Sequence, residues 1–283
     1  MEKYKDTTEF YIPDNTSLET AIKRTTHMAV LAHHDDIEIG AIDGVLQTFQ
    51  KLDKWFFGVV VTDGSGSARG GNYAHYTNEE MMQVRNLEQK KAAYLGEYGL
   101  QAFINAPSSK VKDPNDATVI DEIRKMILDA QPEVLYTHNL ADKHDTHIGV
   151  VTKTIKALRL LPKDLRPKKV YAVEVWRDLD WLVDAEKVSF DVGARPNLSN
   201  SLVEVFDSQI DGAKRYDLAA IGRRLANATF SNSHAVDQSD QVVHGMDLTP
   251  LIENDALDMA TYILDAIDRF KKDVEQRVLK MLK

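Results

Sequence analysis

Short runs rich in apolar and β-branched residues alternate with helix-like stretches over the first two thirds of the chain. This alternation constrains the fold more than any other feature. The runs cover 27–32, 55–61, 100–104, 133–137 and 169–175, and 37–52, 78–95, 117–130 and 148–161 between them have helical spacing. Gly96 and Pro162 stand where two of those helices should stop. Strand and helix in regular alternation form a mostly parallel sheet with helices on both faces. The expected fold is therefore α/β, Rossmann-like and doubly wound, followed by C-terminal strands and helices. In the second part, strands are predicted at 188–192 and 202–206 and a helix over 208–225. A polar loop or lid is predicted over 231–249, and a long helix, continuous or interrupted, over 251–282. One domain over 1–283 is expected, with 1–180 carrying the sheet and 181–283 shaping a pocket. Leu257, Ala260, Leu264, Ile267, Phe270, Val274 and Val278 recur at helical spacing in the last helix. Such a stripe docks on the body of the domain or makes a homo-oligomer contact.

Composition removes several function classes. The 283 residues contain no cysteine, which excludes disulfides, thiolate metal sites and a cysteine nucleophile. The balance of 35 basic against 44 acidic residues, a net −9, argues against a nucleic-acid partner. No run approaches the roughly 20 apolar residues that span a bilayer. The first residues lack the apolar core of a secretory signal, so a cytoplasmic location is expected.

Two polar clusters stand where chemistry belongs. His33-His34-Asp35-Asp36 directly follows the first strand. The stretch from His138 through Asp142, His144 and Asp145 to His147 follows the fourth. In a doubly wound sheet these strands are neighbours at the switch point, and ligands bind outside their carboxyl ends. Imidazole and carboxylate together suit zinc or another divalent first-row metal. Of two adjacent carboxylates, one can bind the metal while the other takes a proton from water. An Asp pair at this place can also simply cap a helix. His144 and His147, three apart, share a face on a helical first turn, so one can bind metal while the other meets substrate.

The run AHHDDIEIG resembles the His-x-Asp-Asp motif of the PIG-L/LmbE-like zinc-dependent N-deacetylases. HDTH at 144–147 resembles their second motif, usually His-Pro-Asp-His, and Arg85-Asn86-Leu87-Glu88 resembles their Arg-x-x-Glu helix. The resemblance covers about 27–177, with only Asp207-Ser208-Gln209 and Lys214 beyond it. It implies that His33, Asp36 and His147 are zinc ligands and that Asp35 is the general base. It also implies that His144, when protonated, supports the oxyanion. The implied reaction is loss of an N-acyl group, with acetyl expected, from an amino sugar or its conjugate. The chain departs from the family pattern at His34, which replaces Pro, and at Asp145-Thr146, which replaces Pro-Asp. His34, Asp142 and Asp145 are therefore candidates for supporting the ligands rather than forming them.

Other signals rank lower. The loop Gly64-Ser65-Gly66-Ser67-Ala68-Arg69-Gly70 superficially looks like a dinucleotide fingerprint, and its occupant would be a nucleotide sugar or dinucleotide bound without hydrolysis. Its spacing is off by one, and no helix opens at once. Arg69, Arg85, Trp176 and His234 are candidate substrate contacts, each weighed against a purely structural or solvated role.

Overall fold

The computed structural model describes residues 3–231 and 233–283. Eight strands form one sheet: β1 (Glu9–Tyr11), β2 (His27–Leu31), β3 (Phe56–Thr62), β4 (Leu100–Ala106), β5 (Val134–His138), β6 (Lys169–Val173), β7 (Lys187–Asp191) and β8 (Val242–Asp247). Their order is β1-β4-β3-β2-β5-β6-β8-β7. β2 to β6 run parallel, while β1 pairs antiparallel with β4 and β8 antiparallel with both β6 and β7. The chain leaves β2 toward β3 and β4, then returns to place β5 on the other side of β2. The switch point thus lies between β2 and β5, where ligands bind in such sheets.

The side-chain period of two builds the core. Met28, Val30 and Ala32 point into one apolar layer with Val119, Ile123, Val150 and Ile155 from helices Thr118–Ala130 and Asp145–Arg159. Ala29 and Leu31 point into the opposite layer with Ile42, Val45 and Ala92. β2 and β3 are buried at every position, as central parallel strands require.

Helix Asn78–Leu95 departs from simple amphipathicity. Its start is fixed by reciprocal bonds: Thr77 Oγ1 accepts from the Glu80 N–H at 3.1 Å, and Glu80 accepts from the Thr77 N–H at 2.8 Å. Its buried face includes Arg85, Glu88 and Gln89. Charged groups are buried only with partners, so this face marks where the helix meets a polar site.

The second part of the chain differs from its sequence reading. Residues 202–206 are not a strand but belong to and follow helix Pro196–Glu204; Pro196 at the first helical position sets that start. The polar segment 231–249 is not all loop, because β8 runs through it between β6 and β7. The 208–225 helix is two helices, Asp207–Ile210 and Tyr216–Phe230, and the 37–52 helix is also two, Asp36–Gly40 and Ile42–Thr48. The last helix begins at Met259, capped by Asp258, whose carboxylate accepts from the Thr261 N–H at 2.8 Å. Ile263 and Ala266 dock it on the sheet layer, whereas Leu264, Val274 and Val278 are exposed. No helix among the described residues is long and apolar enough to cross a membrane.

Candidate active site

Both polar clusters converge on one cavity of about 510 Å³ at the carboxyl ends of the parallel strands. His33, Asp35, Asp36, His144 and His147 all line it. Asp36 opens helix Asp36–Gly40 and is buried. Its Oδ2 accepts from the His33 backbone N–H at 2.7 Å. The same oxygen stands 3.2 Å from His33 Nδ1 and 3.4 Å from His147 Nε2, and the two nitrogens are 3.0 Å apart. Burial pushes the Asp36 carboxyl up, but His147, His138 and His33 together hold it well below the usual carboxylate range.

Three lone-pair donors at such separations could hold a metal ion. Ligands at about 2.0 Å from a tetrahedral ion lie about 3.3 Å from one another. The His33, Asp36 and His147 donors fit that figure, and the set suits zinc. His147 Nδ1 lies 2.9 Å from Asp142 Oδ2, both buried, which directs the Nε2 lone pair to the shared point. His138 is different. Its Nε2 is also 3.4 Å from Asp36 Oδ2, yet it accepts the Ala32 N–H at 2.8 Å. That lone pair is already committed, so His138 acts as a buried wall stacked on His147 at 3.7 Å.

Asp35 sits between strand and helix with φ +89°, a conformation costing of order 1–3 kcal/mol for a non-glycine residue. The turn aims its carboxylate into the cavity. Arg85 Nη2 donates to Asp35 Oδ2 at 2.9 Å and to the His34 carbonyl, while Gln89 Oε1 accepts the Asp35 N–H at 3.2 Å. Burial raises the Asp35 carboxyl to about 6, against the pull of Arg85 and with the help of Asp36. Arg85 in turn lies 3.5 Å from Glu88, which accepts from the Ser208 N–H and Oγ, each at 2.7 Å. Gln89 donates to Glu38 at 2.7 Å, and Tyr98 donates to Glu38 at 2.8 Å. Gly64 closes the same corner. Its φ is +75°, and a Cβ there would lie 3.0 Å from the His34 ring and 3.1 Å from Arg85 Cβ.

His144 caps helix Asp145–Arg159, its Nδ1 accepting from the Thr146 N–H at 3.3 Å. In the neutral ring the proton is then on Nε2. Burial, with His33 and His147 nearby, lowers its pKa. This arrangement favours a neutral hydrogen-bond donor over the imidazolium expected from the resemblance. Its ring lies 4.9 Å from that of His33 and 6.5 Å from Trp176, which lines the cavity with Tyr216.

The remaining candidates divide. Asp142 and Arg85 hold site residues. His34 is buried behind the site, 2.7 Å from Asn86 Oδ1 and stacked on Phe103. Asp145 is exposed at the first position of its helix, where a carboxylate favours the dipole. Arg69 is exposed and donates to the Ser65 carbonyl and to Asn78, outside the cavity lining. His234 is exposed and also outside it, because β8 carries the following segment into the sheet. The glycine loop 64–71 divides: Gly64, Gly66, Ser67 and Ala68 line the cavity, while at its end the Asn72 N–H donates to Asp211 at 2.6 Å, and Gly70 and Gly71 abut Gly212 and Asp211. Sequence reading missed Gln89, Tyr98 and Tyr216, and gave no role to His138 and Glu38, which stand in the two polar clusters. The Gln at 89, one place after an Arg-x-x-Glu spacing on an inward face, was the available signal.

The family model described as PIG-L, GlcNAc-PI de-N-acetylase, matches residues 28–158. Residues 28–158 belong to the PIG-L family. That segment holds every residue of the convergent cluster. The "Uncharacterized deacetylase YaiS" of Escherichia coli is 25% identical over 152 residues, 54% of this chain and 78% of that protein. Family and relative make the chain a hydrolytic enzyme of the N-deacetylase class. Among solved structures, the N,N'-diacetylchitobiose deacetylase of Pyrococcus horikoshii superposes with a TM-score of 0.63 at 15% identity, covering 82% of this chain and 86% of that one. GalB, the 4-carboxy-2-hydroxymuconate hydratase of Pseudomonas putida, superposes with a TM-score of 0.56 at 14% identity, covering 79% and 95%. At such identities the likeness concerns the fold, which serves hydration as well as deacetylation.

Proposed function

We propose that this chain is a zinc-dependent hydrolase that removes an N-acyl group, acetyl in the first instance, from an amino sugar or its conjugate. The observation that carries the reading is the His33, Asp36 and His147 donor set at tetrahedral spacing with the Asp35 carboxylate beside it in one cavity. His33, Asp36 and His147 would hold the ion, and zinc, when bound, supplies Lewis acidity for an amide carbonyl and for water.

The chain's own groups do the rest. Arg85 holds Oδ2 of Asp35, leaving Oδ1 without a hydrogen bond among the described residues. Oδ1 takes the proton of the attacking water, and a carboxyl raised to about 6 both accepts and returns a proton near neutrality. The returned proton goes to the leaving amine. Nε2–H of His144 donates to the acyl oxygen as negative charge develops on it. Asp142 keeps His147 in the tautomer whose Nε2 is free for the ion.

The test is metal analysis of the purified protein together with acetate release from a panel of N-acetylated sugars. Near-stoichiometric zinc, and acetate release that stops on chelation and returns with zinc, is the expected outcome. Stoichiometric zinc without release from any N-acyl sugar, or release unaffected by chelation, would overturn the reading.

A further inference from the structure

The last helix, Met259–Met281, has 23 residues and is about 34 Å long. Only its first half is held. Ile263 and Ala266 are buried in the sheet layer, the Tyr262 hydroxyl donates to the Asp247 carbonyl at 2.6 Å, and Arg269 Nη2 donates to Glu186 at 2.9 Å. Beyond Arg269, no hydrogen bond or ion pair ties the helix to the body among the described residues; the Arg277–Asp273 pair lies within it. Residues 271–283 are exposed, apart from half-buried Asp273. Apolar side chains do not stop where the docking stops. Leu264, Ile267, Val274, Val278 and Met281 follow one another with Lys271 in the place between, in strictly alternating steps of three and four. Those steps are the a and d positions of a heptad repeat, a narrower pattern than the stripe that docks a helix on a domain. The seam runs beside the docked face, so Leu264, Val274, Val278 and Met281 are 57, 44, 51 and 78% exposed.

We infer that this seam pairs antiparallel with the same seam of a second copy of the chain, forming a two-helix coiled coil over residues 264–281. In that orientation Leu264 meets Met281, Ile267 meets Val278 and Lys271 meets Val274, in layers that a two-fold axis repeats. The Lys271 stem covers Val274 of the second copy, and its ammonium reaches out to Glu275 at the seam's flank. A parallel pair would instead set Lys271 against Lys271 inside the seam. Charge along the helix gives the same orientation. Asp265 and Asp268 stand in the first half, while 271–283 carries five basic side chains against two acidic ones. Antiparallel packing lays the basic end of each helix beside the acidic turn of the other, and it opposes the two helix dipoles. A lipid surface is a poorer occupant. Asp268 and Glu275 flank the seam and would be carried against anionic headgroups.

Sedimentation velocity on the full chain over a range of concentrations tests this pairing. The mass should rise from the 31.9 kDa of one chain toward twice that value. Val274→Glu/Val278→Glu should weaken association by about 100-fold or more, because the dimer would then bury four unpaired carboxylates. The melting curve of the dilute protein should not change, since both valines are exposed in the single chain. Lys271→Leu should tighten association, because a charged residue in a seam fixes register at a cost in stability. Introduced cysteines read the orientation without background, since the chain has none of its own. Under mild oxidation, Leu264→Cys mixed with Met281→Cys should cross-link as a mixed pair, and Leu264→Cys alone should not. A chain that stays monomeric at every concentration, association unchanged by the two glutamates, or cross-linking of Leu264→Cys to itself overturns the inference. So does a monomer that co-sediments with phosphatidylglycerol vesicles, which would give the seam to a membrane surface.

Discussion

Replacing Asp142 with asparagine poses a hydrogen-bonding problem that the site cannot solve. The native carboxylate has two acceptor oxygens and uses both: Oδ1 takes the His144 N–H at 3.1 Å, and Oδ2 takes the His147 Nδ1 proton at 2.9 Å. Asparagine offers one oxygen and one NH2. If the oxygen keeps the His144 backbone bond, the NH2 faces His147 Nδ1. His147 must then accept at Nδ1 and carry its proton on Nε2, the nitrogen that faces His33 and Asp36. If the oxygen turns to His147 instead, the His144 N–H loses its partner and the turn that presents both histidines loosens. Both routes weaken the metal site. Partners of ligating histidines typically contribute 10- to 100-fold in affinity, or about 1.4–2.7 kcal/mol. Bound zinc would stabilise the folded state by an amount that grows with the logarithm of its affinity. At about 2 °C per kcal/mol for a chain of this size, the zinc-induced rise in Tm should therefore shrink by about 3–5 °C. Competition against a chromophoric chelator at pH 7.5 measures the affinity, and calorimetric melting with and without zinc measures the stability. Zinc affinity within two-fold of the native protein, in a variant that still folds, would refute the assignment of His147 as a ligand oriented by Asp142.

Further expectations follow from the same geometry. Asp35→Asn should keep zinc and lower kcat by about 10²- to 10⁴-fold, the range for loss of a general base; zinc loss in that variant would instead make Asp35 a ligand. Gly64→Ala should destabilise the fold by about 1–3 kcal/mol in urea melts, because φ is +75° and the new methyl meets His34 and Arg85. Burial raises Glu174 to about 7, against the pull of the Leu179 N–H and Trp181 indole it accepts from. A carboxyl raised on folding contributes stability that is full below about 4.5 and lost as pH climbs through about 7. Glu174→Gln should therefore gain stability relative to the native chain at pH 8 but not at pH 4.5, by up to about 3 kcal/mol; an equal difference at both pH values would contradict the buried-acid account.

The sheet core was legible because β2 and β3 are buried on both faces and so appear as uninterrupted apolar runs. The two polar clusters were legible because they break abruptly from those runs. Asp35 and Asp36 stood out as a pair, but their division of labour depends on the +89° backbone turn that sends one carboxylate to Arg85 and the other to the histidines. Spacing alone does not contain that turn. Helix 78–95 hid its role for a similar reason, since Gln89 and Glu88 look like solvent-facing polar residues until Ser208 and Glu38 are brought to them. Leu202 to Phe206 misled because β-branched composition favours strands while Pro196 starts a helix upstream. β8 was obscured by the Ser, Asp and Gln residues before it, although Val242, Val243 and Met246 are buried in the sheet.

β8 has a consequence for how the molecule is made. It fills the gap between β6 and β7, both of which precede it in the chain, and among the described residues β7 pairs with no other strand. During synthesis the outer edge of β6 stays open until residues 242–247 emerge, and β7 has nothing to join before then. An unpaired parallel edge is a template for association between nascent chains. A nonsense codon anywhere between β7 and β8 would spare every residue of the convergent cluster and still leave β7 without a partner and β6 with an open edge. Such a product would retain the chemistry in its covalent structure while failing at the last strand pairing of the sheet.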